Sequence, residues 1–222
     1  MNKHLIMPYT KGTLIGFMGT GGVGKTTIMN TICDTYPDNF MRGPSVARSV
    51  FASHGIKSED EVAQIPLMQM RQITYDMLRA KMKADQELHE QAYQENKIVI
   101  CDRTIYDQIA YQLYYCGADI TEARFRITMA ECKGHISKYY CGLFAFPFMT
   151  FAEENKGDPQ NAFRLSQNSW GYRVTIQAIL EKLLYSENVE YNSIDKALGT
   201  DKSIRAEYVV DYCRHFGLIS DR

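Results

Sequence analysis

The chain has 222 residues, of which 45% are hydrophobic and 23% charged, the composition of a soluble globular protein with room for one α/β domain and a substantial core. A formal net charge of −1 excludes any overall electrostatic pull toward nucleic acid or membrane, so basic surface has to be local. No apolar run approaches a membrane span, and residues 1–8 lack the long apolar core of a secretory signal, so a cytoplasmic location is expected.

Residues 1–12 read as a lead-in. The apolar, β-prone run 13–18 predicts a first strand. It feeds Gly19-Thr20-Gly21-Gly22-Val23-Gly24-Lys25-Thr26, which fits G-x-x-x-x-G-K-[ST] without departure, and a helix is predicted from there to about Tyr36. Residues 40–42 predict a short strand. Gly43-Pro44-Ser45 opens a helix carrying Arg48, and Ser58-Glu59-Asp60-Glu61 is a capping-type start. Past Pro66 a long helix to about Asn96 carries Leu67, Met70, Ile73, Met77, Leu78 and Met82 at near-helical spacing, read as core packing. Residues 97–101 form a continuous apolar run, the pattern of a parallel strand buried on both faces, and end in Asp102-Arg103-Thr104. Helices at 105–116 and from about Asp119 to Lys138, a strand at 139–146, a helix from Trp170 to about Glu187, a strand at 188–194 and a helix at 201–216 complete the series. Strands alternating with helices predict a three-layer α/β/α fold around a parallel sheet, with active groups at the strands' C-terminal ends. The six cysteines have no C-x-x-C pairing and read as buried free thiols in a reducing compartment.

A triphosphate needs several donors converging on its oxygens, so successive backbone N–H groups must point inward with no side chains in the way. Gly19, Gly21, Gly22 and Gly24 meet that need, and Thr20, Val23 and Thr27 complete the expected binding stretch. The helix starting near Lys25 places a positive dipole end beneath the phosphates. Lys25 is expected to reach the β- and γ-phosphates and the Thr26 hydroxyl to ligate Mg²⁺. If the strand at 97–101 neighbours the first, Asp102 and Arg103 face the phosphates. Asp102 would then hold a metal-bound water or take the acceptor's proton, and Arg103 would hold the acceptor. The competing reading makes Asp102 a helix cap with Arg103 as its surface partner. The polar stretch 147–169 is too long for a simple connection and predicts a lid that excludes water. Arg164 on it is the expected transition-state cation. Arg173 lies beyond it, and Trp170 either stacks on a base or packs the lid helix. Arg48, Tyr106 and Arg173 are further acceptor-side candidates, and the five histidines show no ligand spacing.

With these residues assembled, the chain resembles the P-loop nucleoside and nucleotide kinases, within them the thymidylate-kinase-like and nicotinamide-riboside-kinase-like ATPase groups, including small phage-encoded members. The resemblance rests on GTGGVGKT at 19–26, IVICDRTIYDQIAY at 98–111 and AFR at 162–164, of which only the first is highly specific. It implies a single P-loop NTPase-type kinase domain over 1–222 with a lid at about 147–170, Asp102 near the metal, Arg103 on the acceptor, and an adenine pocket partly in 195–200. In one departure, Pro44-Ser45-Val46-Ala47-Arg48 has serine where relatives often carry a glutamate base. Either Asp102 acts as base, or the acceptor is already an anion, as a monophosphate would be. The implied reaction moves the γ-phosphate of ATP to a nucleotide-type acceptor, a free deoxynucleotide or nucleoside. Two other readings stay open. One is a phage-type kinase of 5-hydroxymethyluracil within DNA, for which Arg124, Arg126, Lys133, His135 and Lys138 would offer a basic strip. The other is a nucleotide-switch ATPase that passes phosphate only to water. Oligomeric state is open.

Overall fold

The computed structural model describes residues 12–57, 59–62, 64–148, 170–194 and 198–220. Strands β1 (Leu14–Met18), β2 (Phe40–Arg42), β3 (Ile98–Asp102), β4 (Tyr140–Ala145) and β5 (Asn192–Ser193) form one parallel sheet in the order β2-β3-β1-β4-β5. The connections carry α1 (Lys25–Thr35), α2 (Val46–Ser53), α3 (Glu59–Val62), α4 (Leu67–Glu95), α5 (Ile105–Cys116), α6 (Glu122–Tyr139) and α7 (Trp170–Ser186), and α8 (Lys202–His215) follows β5.

Strands covered on both faces read as unbroken apolar runs, and β1 is buried at every residue. Alternation along each strand then sorts side chains between the two outer layers. Leu14, Met18, Val99, Cys101 and Leu143 pack with residues of α4, α5, α6 and α7. Ile15, Phe17, Ile98, Ile100 and Phe144 pack instead with Ile28 and Ile32 of α1 and with Val209, Val210 and Tyr212 of α8. Each such large side chain, fully buried, contributes about 1.5–3 kcal/mol. The result is the α/β/α sandwich expected from the sequence. A smaller cluster of Val50, Ile56, Ile73 and Met77 seats α2 on α4.

The last strand is shorter than its apolar pattern predicts. Asn188 takes φ 50, and Val189 N–H returns to Leu184 O at 2.9 Å, so this stretch closes α7 in a left-handed cap before β5 begins. All six cysteines are buried free thiols. Among the described residues no helix is long and apolar enough to cross a membrane. The expected lid falls mainly on 149–169, outside the described residues, and so does Arg164.

Candidate phosphate-binding site

Strands β3, β1 and β4 are adjacent and parallel, so the segments leaving them emerge at one edge of the sheet. Phe17 pairs with Asp102 and Met18 with Ala145, and two further bonds stitch the exits together: Arg103 N–H to Phe17 O at 3.0 Å and Phe146 N–H to Met18 O at 2.8 Å.

The loop after β1 needs glycine for two reasons. Gly22 and Gly24 sit at φ 73 and 91, in the left-handed region. Gly19, at φ 139, passes so close to β4 that a Cβ there would stand 2.9 Å from Phe146 O. Val23 drops its side chain into the core and anchors the loop from below. Helix α1 follows with Gly24 as N-cap, no side-chain cap and no acid in its first turn, whereas α5, α6 and α8 are capped by Thr104, Thr121 and Asp201. Nothing in the cap or first turn of α1 itself therefore offsets its N-terminal dipole, which favours an anion. Thr27 is exposed in that first turn.

The buried Lys25 ammonium donates to Gly19 O at 2.7 Å and Thr20 O at 2.8 Å, and lies 3.9 Å from Asp102 Oδ1. The Thr26 hydroxyl donates to the other oxygen of Asp102. Asp102 thus faces the loop from the neighbouring strand. It does not cap α5, because Thr104 and Asp107 form that capping box themselves: Thr104 Oγ1 accepts from Tyr106 N–H at 3.1 Å and Asp107 Oδ2 accepts from Thr104 N–H at 2.7 Å. A hydroxyl beside a carboxylate, both oxygen donors, suits Mg²⁺, which takes few protein ligands and completes its shell with water and phosphate. The described residues hold no cluster of three or more His, Cys, Asp or Glu for a fully protein-ligated metal.

Arg103 adopts φ 96, a conformation that costs a non-glycine residue about 1–3 kcal/mol. Its guanidinium donates to the Tyr111 hydroxyl at 2.6 Å and lies 4.8 Å from that ring's centre, which holds it within the fold and not against Asp102 as a surface partner. Arg173 is also brought to the loop. Its guanidinium carbon lies 3.2 Å from where a Cβ on Gly22 would stand and 5.3 Å from the Phe148 ring centre.

The other expected residues differ in exposure. Tyr106 is only 2% exposed and belongs to the core cluster of Leu14 and Met18, because α5 turns Ile105, Tyr106, Ile109 and Ala110 toward the sheet. Arg48 is exposed on α2, and Trp170 is 66% exposed at the start of α7, edge-on to Phe148. The basic strip on α6 is broken up: Arg126 pairs with Glu122, Lys133 with Glu187, and His135 is buried against Asp85. Two loop contacts go beyond the sequence reading. Gly19 N–H donates to Asp107 Oδ1 and Thr20 N–H to Gln177 Oε1, both at 3.0 Å. The T-x-x-D capping pattern at 104–107 marks Asp107 as structured, but nothing local names Gly19 as its partner.

This arrangement, a central parallel strand running through a glycine loop into a lysine-bearing helix with an aspartate from the next strand opposite, is that of the P-loop nucleotide-kinase-like proteins. The chain belongs to the AAA domain family, whose model matches residues 14–198. It is similar to a thymidylate kinase of Bacillus licheniformis, 32% identical over 120 residues that make up 50% of this chain and 53% of that one, so it aligns with about half the length of this curated relative. Among solved structures it is similar in fold to the NadR protein in complex with NAD and AMP-PNP, with a TM-score of 0.60 and 16% identity over 95% of this chain and 51% of that one. It is likewise similar to thymidylate kinase from Candida albicans, with a TM-score of 0.61 and 13% identity over 95% and 96% of the two chains.

Proposed function

We propose that the chain moves the γ-phosphoryl group of ATP to a nucleotide-type acceptor, a free deoxynucleotide or nucleoside. The observation that carries this reading is the position of Asp102, which meets both Thr26 and Lys25 from the strand beside β1. Loop amides and an ammonium hold the nucleotide, and a carboxylate set opposite them adds a place for a metal-bound water or an acceptor proton, which phosphoryl transfer uses.

In the reaction the bond from the γ-phosphorus to its bridging oxygen breaks, ADP leaves with that electron pair, and an acceptor oxygen forms the new bond to phosphorus. The loop amides and the N-terminus of α1 hold the β- and γ-phosphates. Lys25 leaves the carbonyls of Gly19 and Thr20 for the phosphate oxygens and offsets their charge. Bound beside Thr26 and Asp102, Mg²⁺ would supply further positive charge at the same oxygens. Arg103, held by Tyr111, steadies the acceptor, with Arg48 and Trp170 as its proposed exposed contacts. Arg164 is the proposed cation for the transferring group, and Arg173 a further proposed contact of the acceptor. A monophosphate acceptor would need no base, in keeping with Ser45; a hydroxyl acceptor would pass its proton to Asp102. Likeness to thymidylate kinases favours a nucleotide acceptor, and the broken basic strip on α6 speaks against DNA.

The test is a panel of deoxynucleosides, their monophosphates and hydroxymethylated DNA, incubated with the chain, Mg²⁺ and γ-labelled ATP. One acceptor class should take up label, and Lys25→Ala should reduce transfer to background with its melting temperature kept. Release of labelled inorganic phosphate with no labelled acceptor would overturn the kinase reading in favour of an ATPase.

A further inference from the structure

Arg173, Gln177 and Glu181 recur every fourth residue on α7 and so share one face of that helix. Gln177 is 5% exposed, and an amide buried so deeply is costly unless it is hydrogen-bonded. Its Oε1 accepts from Thr20 N–H at 3.0 Å, and its Nε2 donates to Phe146 O at 3.2 Å and to Glu181 Oε1 at 2.9 Å. A carbonyl and a carboxylate can only accept, so these partners fix which way the amide points; turned over, it would set N–H against N–H at Thr20.

The consequence lies in the peptide unit that Gln177 grips. The Gly19–Thr20 peptide donates through its N–H to Gln177 and accepts through its carbonyl from the Lys25 ammonium at 2.7 Å. The preceding Met18–Gly19 peptide is held at both edges too, its carbonyl by Phe146 N–H at 2.8 Å and its N–H by Asp107 at 3.0 Å. One turn before Gln177, Arg173 lies against Gly22, so α7 touches the loop at two points.

We infer that Gln177 is a positioning residue for the phosphate grip: it sets the plane of the Gly19–Thr20 peptide, and through that carbonyl the resting place of the Lys25 ammonium. The loop is thereby shaped before a triphosphate arrives, which lowers the ordering cost of binding. This rests on the proposed reading of the loop as a triphosphate site and is independent of the acceptor's identity.

The test uses the full chain with Gln177→Met, which removes the acceptor at similar length, and Gln177→Asn, which keeps an amide but falls one methylene short. Hydrogen exchange is followed amide by amide by NMR, and MgATP affinity by calorimetry. The Thr20 amide should exchange about tenfold faster or more, and MgATP affinity should fall about tenfold, as a lost buried hydrogen bond implies. The Gly19 amide, held by Asp107, should stay protected. Glu181→Ala, which leaves the bond to Thr20 in place, should keep Thr20 exchange close to wild type. If Gln177→Met does not fold, Gln177→Asn decides alone. Unchanged Thr20 exchange overturns the inference, as does joint loss of Gly19 and Thr20 protection, or faster Thr20 exchange with MgATP affinity intact. Wild-type chain that binds no MgATP would sink the phosphate-site reading instead, while the Thr20 amide would still report what Gln177 holds.

Discussion

Asp102 answers two neighbours with different demands, a hydroxyl that needs only an acceptor and an ammonium 3.9 Å away that needs a negative charge. Asp102→Asn separates them, because the amide keeps an oxygen for Thr26 and loses the charge. Its kcat should fall about a hundredfold, the scale of one charge-stabilising group. Half-saturating Mg²⁺ should rise, and binding of metal-free ATP should change little. Steady-state kinetics across a Mg²⁺ series check this; an unchanged kcat would remove Asp102 from the mechanism. Much of this site was legible because its parts are contiguous: every position of 19–26 has a backbone or charge reason of its own, and Asp102 closes an apolar run. Asp107 and Gln177 were not legible. They meet the loop across 88 and 157 residues of chain, and no local pattern says which amide a distant polar side chain will find. The same holds for the turn at Arg103, whose positive φ no residue preference foretells.

At the scale of elements, α4 shows what periodicity reveals and what it hides. Its stripe of Met70, Ile73, Met77 and Leu78 is buried as the spacing predicts, although Leu67 at its start is exposed. Lys81 and Asp85, four residues apart, have the spacing of a surface ion pair, yet both are buried. Asp85 accepts from Tyr140 at 2.7 Å and meets His135 Nε2 at 3.1 Å, so α4, α6 and β4 converge on one carboxylate. Burial alone would raise the Asp85 carboxyl, but the Lys81 charge and the bonds from His135 and Tyr140 bring it below its usual value of 3.8. Burial alone would lower Lys81, but Cys101 and Asp85 bring it up to about 12. Asp85→Asn leaves a buried ammonium without its counter-charge and should cost about 3–5 kcal/mol in urea unfolding at neutral pH. A group titrating lower when folded stabilises above its unfolded pKa and loses that contribution as pH falls through the folded value. The gap between wild type and Asp85→Asn should therefore narrow on acidification below 3.8, and an unchanged gap there would show that Asp85 is not held as a carboxylate. Gly16 presents the opposite problem, since a Cβ there would stand 2.4 Å from Thr104 Cγ2 and 2.9 Å from Leu143 and Tyr140. Gly16→Ala should lower stability by about 1–3 kcal/mol through overpacking, read from the same urea midpoints.

Across the whole molecule the candidate site is a junction. Its loop leaves β1, its carboxylate ends β3, its carbonyl clamp at Phe146 follows β4, and Gln177 arrives on α7, so both apolar layers of the sandwich support it. A ligand that bonds to the loop therefore reinforces segments that would otherwise separate on unfolding, and binding should register as stability of the entire chain. A ligand that binds only the folded state adds RT ln(1 + [L]/Kd), about 2.7 kcal/mol at a hundredfold excess over Kd. For a chain of this size each kcal/mol moves the melting temperature by about 2–4 °C. Saturating MgATP should therefore raise the melting temperature by several degrees. Adenosine should do much less, because it lacks the anion that the α1 terminus and Lys25 are arranged to receive, and chelating the Mg²⁺ should remove part of the shift. In Lys25→Ala the MgATP shift should shrink toward that of adenosine while the ligand-free melting temperature stays near wild type. Equal shifts from adenosine and MgATP, measured by scanning calorimetry, would mean that the base and not the phosphates is what the fold holds.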